Sequence, residues 1–320
     1  MSELRLGIAV PQSYTEPQAT VTALSAFVRQ AESFGFDSLW VQEQILGRDT
    51  SFEPMVNLAY VAALTSRIRL CAGAFIAPVR NPVVFAKQLA SIDQLSGGRL
   101  TVGLGLGDMA ALYDASGVPL SRRVRRLEQV VDVCRALWTQ SSVTYSGVDC
   151  VLDGAAMEPK PVQKPHPPLW FAARSNAALQ RTVRIGSGWI SAGGASEAEF
   201  RELVKVLVGL LPPGGRESFT VAKKVYMAVE PTREQAFVRL RAWFRAHWAG
   251  LADPDELTER VGLYGTADDC AEQLARIRDA GADLIVLNPV YDEPRQLDLI
   301  AAELVPRLDV SMVNGGRSDE

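Results

Sequence analysis

Three carboxylates and a phenol stand where apolar runs of the chain give out. Glu43 closes SLWVQE (38–43), Asp108 follows TVGLGLG, Glu230 follows FTVAKKVYMAV (219–229), and Tyr291 comes just after ADLIVLNP (282–289). A carboxyl in an apolar, partly dry site keeps its proton to higher pH. Glu43 could then donate or relay a proton, with Gln44 beside it, or it could be a structural acid bonded to backbone or to an arginine. Asp108 suits orienting a bound group or capping a turn better than handling protons. Five glycines crowd LSGGRLTVGLGLGD (95–108). A dinucleotide fingerprint would read G-x-G-x-x-G in the first strand–helix unit. Here the spacing is G-x-G-x-G in the fourth, and Asp108 stands where the third glycine should be. No Gly-Lys-Ser/Thr follows, so the segment is not a phosphate loop of that kind either.

Other chemistries are poorly served. With two histidines, His166 and His247, and four scattered cysteines, the chain offers neither an imidazole metal site nor a disulfide framework. The expectation is no metal. A net charge of −4 gives no sign of a nucleic-acid or membrane partner. No apolar stretch is long enough to span a bilayer, and MSELRLGIAV lacks a signal peptide's basic start. A cytoplasmic protein is expected.

The elements that must position these residues alternate. LRLGIAV, SLWVQE, RIRLCAGAF, RLTVGLG, PLWFAA, GWISAGG, FTVAKKVYMAV and ADLIVLNP are eight runs of strand length, each followed by a helical pattern. Pro54 and Asn81-Pro82 mark helix starts. Near-continuous Val, Ile and Leu suit parallel strands buried on both faces. Eight strand–helix units predict an α/β (β/α)8 TIM barrel, one domain over 1–310, rather than an open doubly wound sheet. The longest interruption, about 141–167, reads as a hairpin and a proline-rich crossing inserted before strand five. Residues 311–320 read as a disordered tail. A barrel puts its chemistry at the C-terminal ends of its strands. There Gly103, Gly105 and Gly107 lack side chains, so that a flat ring or another backbone can come close.

Across the whole barrel the chain resembles the luciferase-like (LLM) superfamily of flavin- and deazaflavin-dependent oxidoreductases. The likeness lies in AESFGFDSLWVQE, TSRIRLCAGAF, VRNPVVFAKQLASIDQLSGGRLTVGLGLGD, PLWFAARS, GSGW and YGTADDCAEQLARIRDAGADLIVL. It implies coenzyme F420 or FMN as cofactor, with the ring across the C-terminal face of the barrel. It implies a cis peptide at Gly73-Ala74 with Phe75 nearby, the ring lying over Gly73-Ala74 and Gly105-Gly107. It places the phosphate at Ala173-Arg174-Ser175, where the opening of a helix attracts an anion. Ser175 by itself would be an N-cap. Gly193 and Gly194 would add backbone donors. Two departures stand out. Gln44 replaces the histidine common in the family after the strand-two acid, and Ala111 and Leu112 lie where a glutamate is frequent.

The G-x-G-D form with Tyr-Asp-Ala following resembles the F420-dependent methylene-tetrahydropterin reductase-like branch. The first expectation is therefore hydride transfer between F420 and a small organic substrate. The alternative is an FMN-dependent monooxygenase supplied with reduced flavin by a partner reductase. A third is a cofactor-binding protein without turnover. The resemblance also implies a homodimer. Arg122, Arg123, Arg125 and Arg126 read as a solvated helix face, with attraction of the acidic F420 tail as the sharper alternative. Trp40, Trp170 and Trp189 read as core or cofactor wall, and His166 as structural.

Overall fold

Strands rich in Val, Ile and Leu have no polar face to turn to water, so each run must be covered on both faces. In a computed structural model, residues 3–11, 17–47, 51–248, 252–310 and 312 are described. Among them the strands are β1 (Arg5–Ala9), β2 (Ser38–Val41), β3 (Arg69–Ala72), β4 (Phe75–Ile76), β5 (Leu100–Gly105), β6 (Val143–Ser146), β7 (Val151–Ala155), β8 (Leu169–Ala172), β9 (Gly188–Ser191), β10 (Thr220–Val229), β11 (Gly262–Gly265) and β12 (Leu284–Pro289). The eight parallel strands β1, β2, β3, β5, β8, β9, β10 and β12, with helices between them, make a (β/α)8 barrel. The fold class is the one expected.

By internal contacts the described residues form two compact units, one made of those up to Trp40 together with those from Ala173 onward, the other of those within Val41–Ala172. In the first, β1 lies parallel between β12 (Leu6↔Ile285) and β2 (Ile8↔Leu39). The ten-residue β10 runs along β12 from Ala222↔Leu284 to Met227↔Pro289. Its other edge is divided. Thr220–Lys223 pair with β9, and Tyr226–Val229 pair with β11. The strand β11 was not among the eight runs. Four residues, GLYG, with a glycine at each end, carry too little periodicity to be seen.

In the second unit β5 lies parallel to β3 (Leu70↔Leu100) and to β8 (Val102↔Leu169), and β4 continues beside it (Phe75↔Leu104). Helix Pro82–Leu95 begins as its sequence indicates, with Asn81 Oδ1 accepting from the N–H of Val83 and Val84. It ends at Gly97 and Gly98, whose φ values of +66° and +83° suit glycine. So the first two of the five glycines are a helix stop. Arg99 then fastens the turn, donating to the carbonyls of Ala62, Thr65, Ile68 and Ser96. The insertion is a hairpin, β6 antiparallel to β7, then an irregular stretch with cis peptides before Pro159 and Pro165. The tail falls outside the described residues apart from Met312. Among the described residues no helix is long and apolar enough to cross a membrane.

Candidate active site

In the second unit the site is built around the break between β3 and β4. The Gly73-Ala74 peptide is cis, and Gly73 N–H donates to Val41 O at 2.8 Å. Phe75 is fully buried, with its ring edge-on to Phe85 at 5.3 Å. The glycines of β5 fit this bulge. A Cβ on Gly105 would lie 3.4 Å from Ala74 Cβ and 3.7 Å from Ala172 Cβ. One on Gly107, at φ +64°, would strike Ile76 at 2.9 Å. At Gly105 these are ordinary contacts, whereas at Gly107 the positive φ and the Ile76 side chain both favour glycine. Gly103 pairs with Trp170 in the buried middle of β5.

Glu43 lies against the same bulge. Its side chain is 1% exposed, and Oε2 accepts from Ile76 N–H at 3.1 Å and from Arg80 Nη2 at 2.8 Å. Burial pushes the carboxyl above its ordinary range, against the pull of Arg80. Oε1 is buried without a partner among the described residues. Arg80 also donates to Glu53 Oε1 at 2.8 Å, and its guanidinium lies over the Phe75 and Phe85 rings. Glu53 caps helix Pro54–Leu64 through Val56 N–H. The bonds of Glu43 are thus those of the structural alternative, to backbone and to an arginine. Gln44 is half-buried, and its carbonyl accepts from Ser51 Oγ at 3.3 Å.

Asp108 is exposed and, among the described residues, caps no helix. The N-cap of helix Ala110–Ala115 is Met109, without a side-chain bond. The loop is fastened by Tyr113, whose hydroxyl donates to Leu106 O. Leu112 is buried in the core. Arg126 departs from the solvated face expected for the arginine run. It is 8% exposed, donates to Pro78 O and Arg80 O, and pairs with Asp149. Arg122 and Arg125 are exposed.

In the first unit a cavity of about 360 Å³ is lined by Arg174, Gly193, Gly194, Tyr226, Trp248 and Arg260, among others. Ala173 is buried, and its carbonyl accepts from Trp189 Nε1 at 3.0 Å. Arg174 and Ser175 are exposed. Ser175 caps helix Asn176–Ile185 through Ala178 N–H. Side chains on the two glycines would press on their neighbours to different degrees. One on Gly193 would collide with the Tyr226 ring, and one on Gly194 would meet the Arg174 guanidinium at 3.0 Å. Tyr226 and Trp248 meet edge to face at 5.2 Å and give the cavity an aromatic wall. Arg174 and Arg260 with the backbone of Gly193-Gly194 form a donor set that suits a phosphate.

Two residues that sequence reasoning passed over lie beneath. Lys223 is 2% exposed and donates to Ala192 O and Ala195 O at 2.8 and 2.6 Å. Burial lowers its pKa to about 7, and Lys224, 8% exposed, is lowered likewise to about 7. The signal was visible, two lysines inside an apolar strand. Glu230 is engaged. It accepts both guanidinium nitrogens of Arg295 at 2.9 Å and the Tyr291 hydroxyl at 2.5 Å. Arg295 holds the Glu230 carboxyl below its ordinary range, while burial and the Glu230 carboxylate hold the phenol of Tyr291 above its own.

Residues 5–284 match the model of the luciferase-like monooxygenase family. The chain is 24% identical to a 5,10-methylenetetrahydromethanopterin reductase of Archaeoglobus fulgidus, over 91% of this chain and 97% of that protein. It is 29% identical to an FMNH2-dependent dimethylsulfone monooxygenase of Pseudomonas putida, over 80% and 79%. In fold it is similar to an F420-dependent secondary alcohol dehydrogenase solved with an F420–acetone adduct, with a TM-score of 0.83 and 19% identity over 96% and 99% of the two chains. With the family model matching most of its length, the chain belongs to the luciferase-like monooxygenase family of oxidoreductases.

Proposed function

We propose that this oxidoreductase transfers a hydride between coenzyme F420 and a small organic substrate. The observation that carries the reading is the end of β5, Gly103-Leu104-Gly105-Leu106-Gly107-Asp108, seated on the cis segment at Gly73-Ala74. The near end-to-end likeness to a 5,10-methylenetetrahydromethanopterin reductase supports a reductase. In the second unit, Gly73, Ala74, Phe75, Gly105 and Gly107 form the seat of the ring. Glu43 fixes that seat through Ile76 N–H and Arg80. In the first unit, Arg174, the Gly193-Gly194 backbone and the start of helix Asn176–Ile185 hold the phosphate. F420 supplies the hydride chemistry, and the protein supplies binding and orientation.

The dimethylsulfone monooxygenase likeness favours a second reading, FMN used as reduced flavin from a partner reductase. Titrating F420 and FMN separately into the protein tests the two. Micromolar F420 binding without FMN binding is the expected result. FMN binding alone would replace the hydride reading with the monooxygenase reading.

A further inference from the structure

We propose that Lys223 is a positioning residue for the anion site, holding the turn Ala192–Ala195 so that the Gly193-Gly194 backbone presents its N–H groups to the cofactor phosphate. The proposal rests on the phosphate reading of Arg174 above. Lys223 is not among the residues that line the Arg174 cavity. It lies on β10, in register with Ser191, the last residue of β9, and its Nζ reaches the two carbonyls that bracket the glycines. The Ala192 carbonyl is shared, since Ala195 N–H also donates to it at 3.1 Å. In a planar trans peptide the N–H points opposite to the C=O. A carbonyl of Ala192 drawn onto the ammonium therefore turns the Gly193 N–H away from Lys223. Among the described residues neither the Gly193 nor the Gly194 N–H has a hydrogen-bond partner.

Neighbouring groups fix the lysine. Its ammonium lies 5.9 Å from the Phe200 ring centroid, and Ser196, next to the turn, makes a capping box with Glu199 that anchors the start of helix Glu197–Leu210. The turn is thus held on its carbonyl side by Lys223 and at its exit by Ser196. A buried ammonium is costly unless bonded, and here its bonds are spent on a turn between strand and helix at a strand's C-terminal end. The placement gives the phosphate site a backbone nest beside Arg174.

The test compares each cofactor with its phosphate-free core: F420 with its deazariboflavin core, and FMN with riboflavin. For whichever cofactor binds, Lys223→Met is expected to weaken affinity about tenfold or more, and to leave affinity for the phosphate-free core within twofold. Lys223→Gln keeps a side-chain donor without charge and is expected to fall between. It serves also if Lys223→Met does not fold. Equal losses for cofactor and core, or no loss for either, would overturn the proposal. Arg174→Ala, measured in parallel, separates the two ideas. If Arg174→Ala weakens the phosphorylated cofactor selectively and Lys223→Met does not, the site reading holds and the role of Lys223 falls. If neither variant discriminates, or if neither cofactor binds the unaltered protein, the phosphate reading falls and takes this proposal with it.

Discussion

Arg80 serves two carboxylates at once, Glu43 and Glu53, and its plane covers two phenylalanine rings. The pair with Glu43 is nearly dry, at 14% and 1% side-chain exposure. Removing one member of such a pair leaves an uncompensated buried charge, at a cost of about 3–5 kcal/mol. Arg80→Met should therefore lower the free energy of urea unfolding by that amount, and adding Glu43→Gln should recover part of it. A double variant as unstable as the single one would show that Arg80 acts through its packing on Phe75 and Phe85 instead. At the exposed Arg174 the expectation is opposite. Arg174→Ala should leave stability within about 0.5 kcal/mol, yet weaken cofactor binding about tenfold to hundredfold, because a charge-assisted bond contributes roughly 1.5–3 kcal/mol. Loss of stability without loss of binding would remove Arg174 from the site.

At the scale of elements, the β5 end and the β3–β4 bulge are one fitted pair. Gly107 tests the fit because two costs separate there. Its φ of +64° strains any side chain, and a Cβ would also press Ile76. Gly117, at φ +67° with nothing within 4 Å, carries the first cost alone. Gly117→Ala should cost about 1–2 kcal/mol, and Gly107→Ala more, the excess vanishing in an Ile76→Ala background, which lacks all three atoms the Cβ would press. Equal losses in thermal unfolding would mean that Ile76 simply shifts aside. Much of this scale was legible in the sequence. Apolar runs located eight strands, and Asn81-Pro82 and the hairpin insertion read correctly because their signals are local. What stayed hidden was pairing at a distance. Nothing near Glu43 reveals that Arg80, 37 residues on, takes its carboxylate. Nothing in SRRVRRLEQ distinguishes buried Arg126 from exposed Arg125, because a rotation of about 100° between neighbours decides which side chain reaches the carbonyls of Pro78 and Arg80. The four-residue β11 exists because the long β10 leaves Tyr226–Val229 an open edge.

For the molecule as a whole, the two adjacent buried lysines set a dependence of stability on pH. Both are lowered to about 7 in the native protein by burial, whereas an unfolded lysine titrates near 10.4. Between these values the unfolded chain binds more protons than the native one, so stability rises as pH rises through about 7. His166, also lowered by burial, acts in the same direction at lower pH. Above about 8.5 an opposing effect begins. Burial holds the thiols of Cys134 and Cys270 above their ordinary range, and unfolded thiols ionise near 8.5. The lysines therefore dominate from about pH 7 to 8.5. With 1.36 kcal/mol per pH unit for each displaced proton, each lysine contributes about 1–2 kcal/mol across that window. Urea unfolding should show the unaltered protein gaining about 2–3 kcal/mol from pH 7 to 8.5. Lys224→Met, which leaves the Ala192–Ala195 turn and its bonds to Lys223 in place, should gain about half as much. A flat profile in the unaltered protein would mean that both ammonium groups stay charged when buried, held by their carbonyl and aromatic partners.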